Sequence, residues 1–137
     1  MMTILYVADQ QRSTEFYQQL LQQEPVLNVP GMTEFALFDN HSFKLGLMPE
    51  RGITKLLHDP KHPGKFPDLT KVTDKSPRVE LYLVLLNAHL YYEHAIELGA
   101  TAISPIQLRN WGDYVAYASD PDGHILAFAE AAMGNGQ

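Results

Sequence analysis

The order of apolar segments and turn signals in the first 48 residues returns after residue 78, and this repetition constrains the fold more than any other feature. Thr3 to Val7 reads as a short strand, and Asp9 is a good helix N-cap because its carboxylate can accept free backbone N–H groups. A helix then runs to about Leu21, burying Phe16, Tyr17, Leu20 and Leu21, with Pro25 as its stop. Pro30-Gly31 marks a turn into a strand from Met32 to Phe38, and Asp39-Asn40 turns the chain into a returning antiparallel strand, Phe43 to Met48. In the second half Val79 to Leu85 is a strand, and Asn87 caps a helix with Tyr91, Ala95 and Leu98 on one face. Gly99 closes that helix in the left-handed region. Strands at Thr101 to Ser104 and Asp113 to Ala118 follow, and Ser119-Asp120-Pro121-Asp122-Gly123 turns into a last strand, Ile125 to Ala129. Tyr6 corresponds to Leu83 at an offset of 77 residues and Leu45 to Leu126 at 81, a drift that one loop-length change explains. A module of this size cannot cover its own apolar sheet face, so the copies are expected to pack together as one domain over residues 1–137.

Residues 1–48 form the first module and 78–132 the second, with a proline-rich linker at 49–77. The linker holds five of the nine prolines and six of the ten basic residues (Arg51, Lys55, Lys61, Lys65, Lys71 and Lys75), which reads as a solvated connector, with a lid as the alternative. The formal charge of −6 repels phosphate backbones, and the lysines alternate with prolines and acids, so no nucleic-acid partner is expected. No apolar run approaches the roughly 20 residues of a membrane helix. The start lacks a basic, then apolar, secretion signal, and there are no cysteines, which together fit a cytoplasmic protein.

Val7-Ala8-Asp9, Ser13-x-x-Phe16-Tyr17, Leu20-Leu21, Gly99-Ala100, Trp111-Gly112-Asp113 and Asp120-Pro121-Asp122-Gly123-His124 stand in an order that resembles the vicinal oxygen chelate superfamily. That group contains glyoxalase I, extradiol dioxygenases and bleomycin-resistance proteins. The resemblance implies an α+β fold of two βαβββ modules, forming an open curved mixed sheet of half-barrels with helices on the convex side. It also implies a concave site and a homodimer. Gln22 departs from the pattern, standing where the family often has glycine after the Leu-Leu pair.

Family enzymes hold a divalent metal with four side chains, two per module, as a Lewis acid beside the substrate's oxygens. On the resemblance those positions are Met2, Gly46, Glu80 and Ala127, and of these only Glu80 suits a hard or borderline cation. No metal or other cofactor is therefore expected there. His58 and His62 with Asp59 are an alternative metal site on the linker, although Pro60 and Pro63 prevent a helical pair. His89 and His94 lie about 140° apart on their helix and share no face. His41 and His124 fall in turns, where solvation is expected.

Strand alternation puts Val79, Leu81, Leu83 and Leu85 on one face and Glu80, Tyr82 and Val84 on the cavity face. Desolvation there would raise the Glu80 carboxyl, making it a candidate base or hydrogen-bond acceptor; the alternative is an ion pair with Arg78. Tyr82, Trp111 and Tyr114 are the aromatic candidates for the pocket, and Arg109 and Asp113 flank the tryptophan. Solvated surface charge is the alternative for these two. The reading that results is a small-molecule-binding protein acting without the family metal through Glu80, Tyr82, Trp111, Tyr114 and Arg109. Its rivals are a metal-dependent lyase, isomerase or dioxygenase and a non-catalytic dimeric interaction module.

Overall fold

The computed structural model describes residues 1–37, 43–74, 76–77 and 79–132. The turn expected at Asp39-Asn40, the turn histidine His41 and the Arg78 partner for Glu80 lie outside them. The chain divides at residue 74 into two units. In the first, β1 (Met2–Val7) leads into α1 (Gln10–Leu21), then β2 (Leu27–Val29), β3 (Met32–Leu37), β4 (Phe43–Pro49) and α2 (Glu50–Leu57). The strand order is β1-β4-β3-β2, with β1 parallel to β4 and the other pairs antiparallel. Leu5, Val7, Phe35, Leu45 and Leu47 alternate onto the face that packs on α1, where Phe16, Tyr17 and Leu20 meet them, and all are at most 4% exposed. The expected N-cap is present, Asp9 Oδ1 accepting from the Arg12 amide at 3.0 Å.

The edge strand β2 lacks the apolar alternation of the others and was not expected; the Pro30-Gly31 turn, with Gly31 at φ 98°, returns it onto β3. Gln10 then ties this hairpin to α1. Its side-chain amide donates to the Val29 carbonyl (2.8 Å) and to Thr33 Oγ1 (2.9 Å), and its carbonyl accepts from the Gly31 amide (2.9 Å).

Helix α1 ends before Pro25 acts, because Gln22 takes the left-handed conformation, φ 56° and ψ 44°. A side chain pays about 1–2 kcal/mol in that region, and glycine does not. Gln22→Gly is therefore expected to stabilise the protein by about 0.5–1 kcal/mol, read as a higher urea midpoint at unchanged m value. An unchanged or lower midpoint would count against the assigned cap geometry.

The stretch read as a linker is partly structured and belongs, as far as Asp74, to the first unit. Glu50 to Leu57, within its longest proline-free run, forms α2 directly after Pro49 and buries Ile53, with an acid in the first turn and a lysine in the last. A short 3₁₀ turn follows at Leu69–Lys71. The density of prolines after residue 59 concealed this helix in the sequence.

The second unit repeats the arrangement: β5 (Glu80–Val84), α3 (Ala88–Glu97), β6 (Thr101–Leu108), β7 (Asp113–Ser119) and β8 (Ile125–Ala131), in the order β5-β8-β7-β6. The α+β class and the two βαβββ modules are thus present. Leu81 and Leu83 are buried while Glu80, Tyr82 and Val84 are exposed, as the alternation required. Asn87 precedes α3 but is itself left-handed (φ 60°) and makes no side-chain cap. The cap comes from β8, where Glu130 Oε1 accepts from the buried Ala88 amide at 2.9 Å. Gly99 has the expected positive φ, 107°. Strand β6 is longer than expected and contains Pro105, which an edge strand tolerates; its register to β7 shifts on both sides of Ser104. Among the described residues no helix is long and apolar enough to cross a membrane.

Candidate functional site

On the helix-free face of the second unit's sheet, β8 presents only small side chains in its middle, Ala127 and Ala129, both fully buried. Tyr82 on β5 reaches β7 across that strand, its hydroxyl donating to Asp113 Oδ2 at 2.6 Å. Trp111 Nε1 donates in turn to the Tyr82 oxygen at 2.8 Å. The phenol is held above its ordinary pKa, first by partial burial and then by the Asp113 carboxylate, so it stays protonated at neutral pH. Trp111 remains 54% exposed, leaving much of the indole accessible. The arrangement is an aromatic surface whose hydroxyl, indole N–H and carboxylate are mutually oriented before any ligand arrives.

Sequence reasoning paired Trp111 with Tyr82 as pocket aromatics but gave Asp113 no specific partner. Tyr117, two pleats along β7 from Asp113, completes the face: it packs on Val115, Ala127 and Ala129. Period-two alternation through 113, 115 and 117 was the signal available for it.

Arg109 lies over the Tyr117 ring, its guanidinium carbon 5.2 Å from the centroid. Its donors are largely committed to the chain. Nη2 reaches the Val115 carbonyl (2.9 Å) and Ser104 Oγ (2.9 Å), Nε also points at Val115 O (3.3 Å), and Nη1 meets Gln107 Oε1 (3.1 Å). These bonds bridge β7 to the irregular stretch around Pro105, where the shifted register disrupts the ladder. Arg109 is accordingly a clamp that shapes the face and a cationic floor beside Tyr117, with little donor capacity left for an anion.

Glu80 shares the face with Tyr82 but is exposed, so the burial expected for its carboxylate is not there. Tyr114 does not join the group. It pairs with Glu130, whose carboxylate caps α3, and so stands on the helix side of the sheet.

The turn before β8 holds a different surprise. Asp120 is 3% exposed, and His124, expected to be solvated, donates from Nδ1 to Asp120 Oδ2 at 2.8 Å. The Asp-Pro-Asp-Gly-His run is thus a structural knot. On the former linker, His58 Nδ1 donates to the Phe66 carbonyl (2.6 Å) while His62 pairs with Asp59 (2.8 Å), and the bond from His62 is the main cause of a lowered Asp59 pKa. The two histidines therefore engage separate partners.

In the first unit the matching sheet face carries Met2, Ile4 and Tyr6 from β1 and Gly46 and Met48 from β4, with Met32 and Glu34 from β3. The donor set implied by the resemblance does not fit a divalent ion. A Cβ on Gly46 would sit 3.1 Å from Ile4 Cγ1 and 3.2 Å from Met2 Sδ, so apolar side chains occupy the space where a ligating side chain would begin. Ala127 is fully buried, and among the described residues no three His, Asp or Glu side chains are grouped to hold a metal.

A family model described as Glyoxalase/Bleomycin resistance protein/Dioxygenase superfamily matches residues 2–128. Among solved structures, a glyoxalase-related enzyme from Fulvimarina pelagi superposes with a TM-score of 0.72 at 19% identity, over 94% of this chain and 85% of that one. A family enzyme from Burkholderia phytofirmans gives 0.75 at 15% identity over 96% and 97%. A protein from Agrobacterium tumefaciens solved by solution NMR gives 0.69 at 27% identity over 96% and 95%. No curated protein matches the sequence significantly.

Proposed function

Because the chain belongs to the glyoxalase/bleomycin resistance protein/dioxygenase superfamily, we propose that it binds a small organic molecule on the aromatic face of its second unit, without the divalent metal of the family's enzymes. The observation that carries this reading is the tie from Trp111 through the Tyr82 hydroxyl to Asp113, which orients donor and acceptor groups beside an exposed indole. A flat apolar ligand stacks on Trp111, and its hydroxyl or amine bonds to Asp113 or Glu80, while Arg109 and Tyr117 keep the floor in shape. Glu80 serves as an acceptor at the edge of this surface.

Trp111 is the sole tryptophan, so its emission reports on this surface alone. A thermal-shift screen of small aromatic metabolites and antibiotics comes first, since a ligand at 100 times its Kd adds about 2.7 kcal/mol of stability. Compounds that raise the Tm are then titrated against Trp111 fluorescence. Saturable emission changes with the same Kd as the thermal effect are expected. Hits that stabilise the protein while leaving the emission flat would place the binding elsewhere and sink the reading.

A further inference from the structure

Two buried threonines of the first unit, Thr14 and Thr33, take no part in the aromatic face, and they stand behind a separate cleft. The cleft lies between α1 and the β2–β3 hairpin and has a volume of about 700 Å³, a size that takes a small molecule. Thr33 Oγ1 accepts from Gln10 Nε2 at 2.9 Å and lies 3.3 Å from Asn28 Oδ1, an atom that can only accept. Thr33 therefore donates its proton to Asn28, and the 2.8 Å contact between the threonines runs from Thr14 to Thr33. Thr14 has then used its proton, and its oxygen is left as an acceptor in the cleft wall on a residue 5% exposed.

The side chains around it offer acceptors as well. Gln11, Thr14, Glu15 and Gln18 follow the i, i+3, i+4, i+7 spacing of one face of α1, and all four line the cleft. Asp9 Oδ1 is taken by the Arg12 amide, Glu15 Oε1 by Gln11, and the Gln18 amide nitrogen donates to Glu24. Asp9 Oδ2, Glu15 Oε2 and Gln18 Oε1 have no hydrogen bond among the described residues. No lysine or arginine lines the cleft. The N-terminal end of α1 contributes about half a positive charge, which the Asp9 and Glu15 carboxylates together exceed.

We propose that this cleft binds a small alkylguanidinium cation, its head on Glu15, Thr14 and Gln18 and its alkyl chain along Val29 and Pro30. The excess of acceptors calls for a donor-rich ligand, and the two carboxylates call for a positive one. A guanidinium presents N–H groups around a plane and is more weakly hydrated than an ammonium, so it can meet a carboxylate and neighbouring oxygens together. Val29 is 45% exposed and gives the chain an apolar wall.

The test titrates the whole ¹⁵N-labelled chain with butylguanidinium at about 0.15 M ionic strength, where loose attraction to the acidic surface is screened. The side-chain amide signals of Gln11, Gln18 and Asn28 should shift along a single saturable isotherm. Butylurea, which keeps the shape and loses the charge, should bind at least about 10-fold more weakly. Glu15→Gln keeps an acceptor and a good helix former at an exposed position, and should weaken butylguanidinium about 5-fold. Equal binding of butylurea, undiminished affinity in Glu15→Gln, or shifts confined to signals outside the cleft would overturn the proposal. Butylammonium bound as tightly as butylguanidinium would overturn the choice of head group.

Discussion

Replacing Asp120 by alanine is expected to remove about 3–4 kcal/mol of stability, measured as a lower urea midpoint. One carboxylate oxygen accepts from the Asp122 and His124 amides at 2.9 and 2.8 Å, and the other takes the His124 ring N–H at 2.8 Å. The group is 3% exposed, so water cannot replace what the mutation removes. Hydrogen bonds to a charged group contribute about 1.5–3 kcal/mol each, and donors left unsatisfied in a buried turn add their own cost. Asp120→Asn keeps one acceptor oxygen and should lose about half as much. A loss below about 1 kcal/mol for alanine would show that the turn is held by its backbone alone, through the Asp120 amide on the His124 carbonyl and the Gly123 amide on Asp120. The turn matters to the site because it starts β8 in the register that places Ala127 opposite Tyr82 and Tyr117.

Trp111→Ala is expected to weaken ligand binding by about 2 kcal/mol, roughly 30-fold, as truncation of a central aromatic typically does. Tyr82→Phe removes one hydrogen-bonding group and should cost about 1 kcal/mol, roughly 5-fold. Calorimetric titration supplies the measurement, because the first variant has no tryptophan to follow. Tyr114→Phe is the internal control: its side chain stands on the helix side of the sheet with Glu130, and binding should be unchanged. If Trp111→Ala bound within twofold of the parent, or if Tyr114→Phe proved the more damaging, the aromatic face would not be the site.

Much of the architecture was readable because each strand buries one face: alternation at Leu81 and Leu83 against Glu80 and Tyr82 needs only a period of two. Helix starts and stops were readable only where the chemistry is local. Asp9 caps α1 with its own carboxylate, but α3 is capped by Glu130, which is 42 residues away along the chain. Helix α2 was hidden by the prolines that follow it. The site divides along the same line. Trp111 and Tyr82 could be named as aromatics near the expected cavity, whereas Tyr114 was placed with them because alternation separates 113, 115 and 117 from 114, 116 and 118 without saying which set faces the helix.

From the residues alone came a repeated order of strands and helix, and the resemblance of the motifs supplied the family, its βαβββ modules and the four positions Met2, Gly46, Glu80 and Ala127, of which only Glu80 suits a hard cation. The repeat follows from short-range periodicity and the last point from side-chain chemistry, which the chain carries wherever it goes. Tertiary structure alone decided that Tyr82 crosses an alanine-lined strand to reach Asp113, that Arg109 serves the backbone of Val115, and that Ile4 and Met2 close over Gly46. Each of these depends on the register between strands distant in sequence, and hydrogen bonds across a sheet set that register.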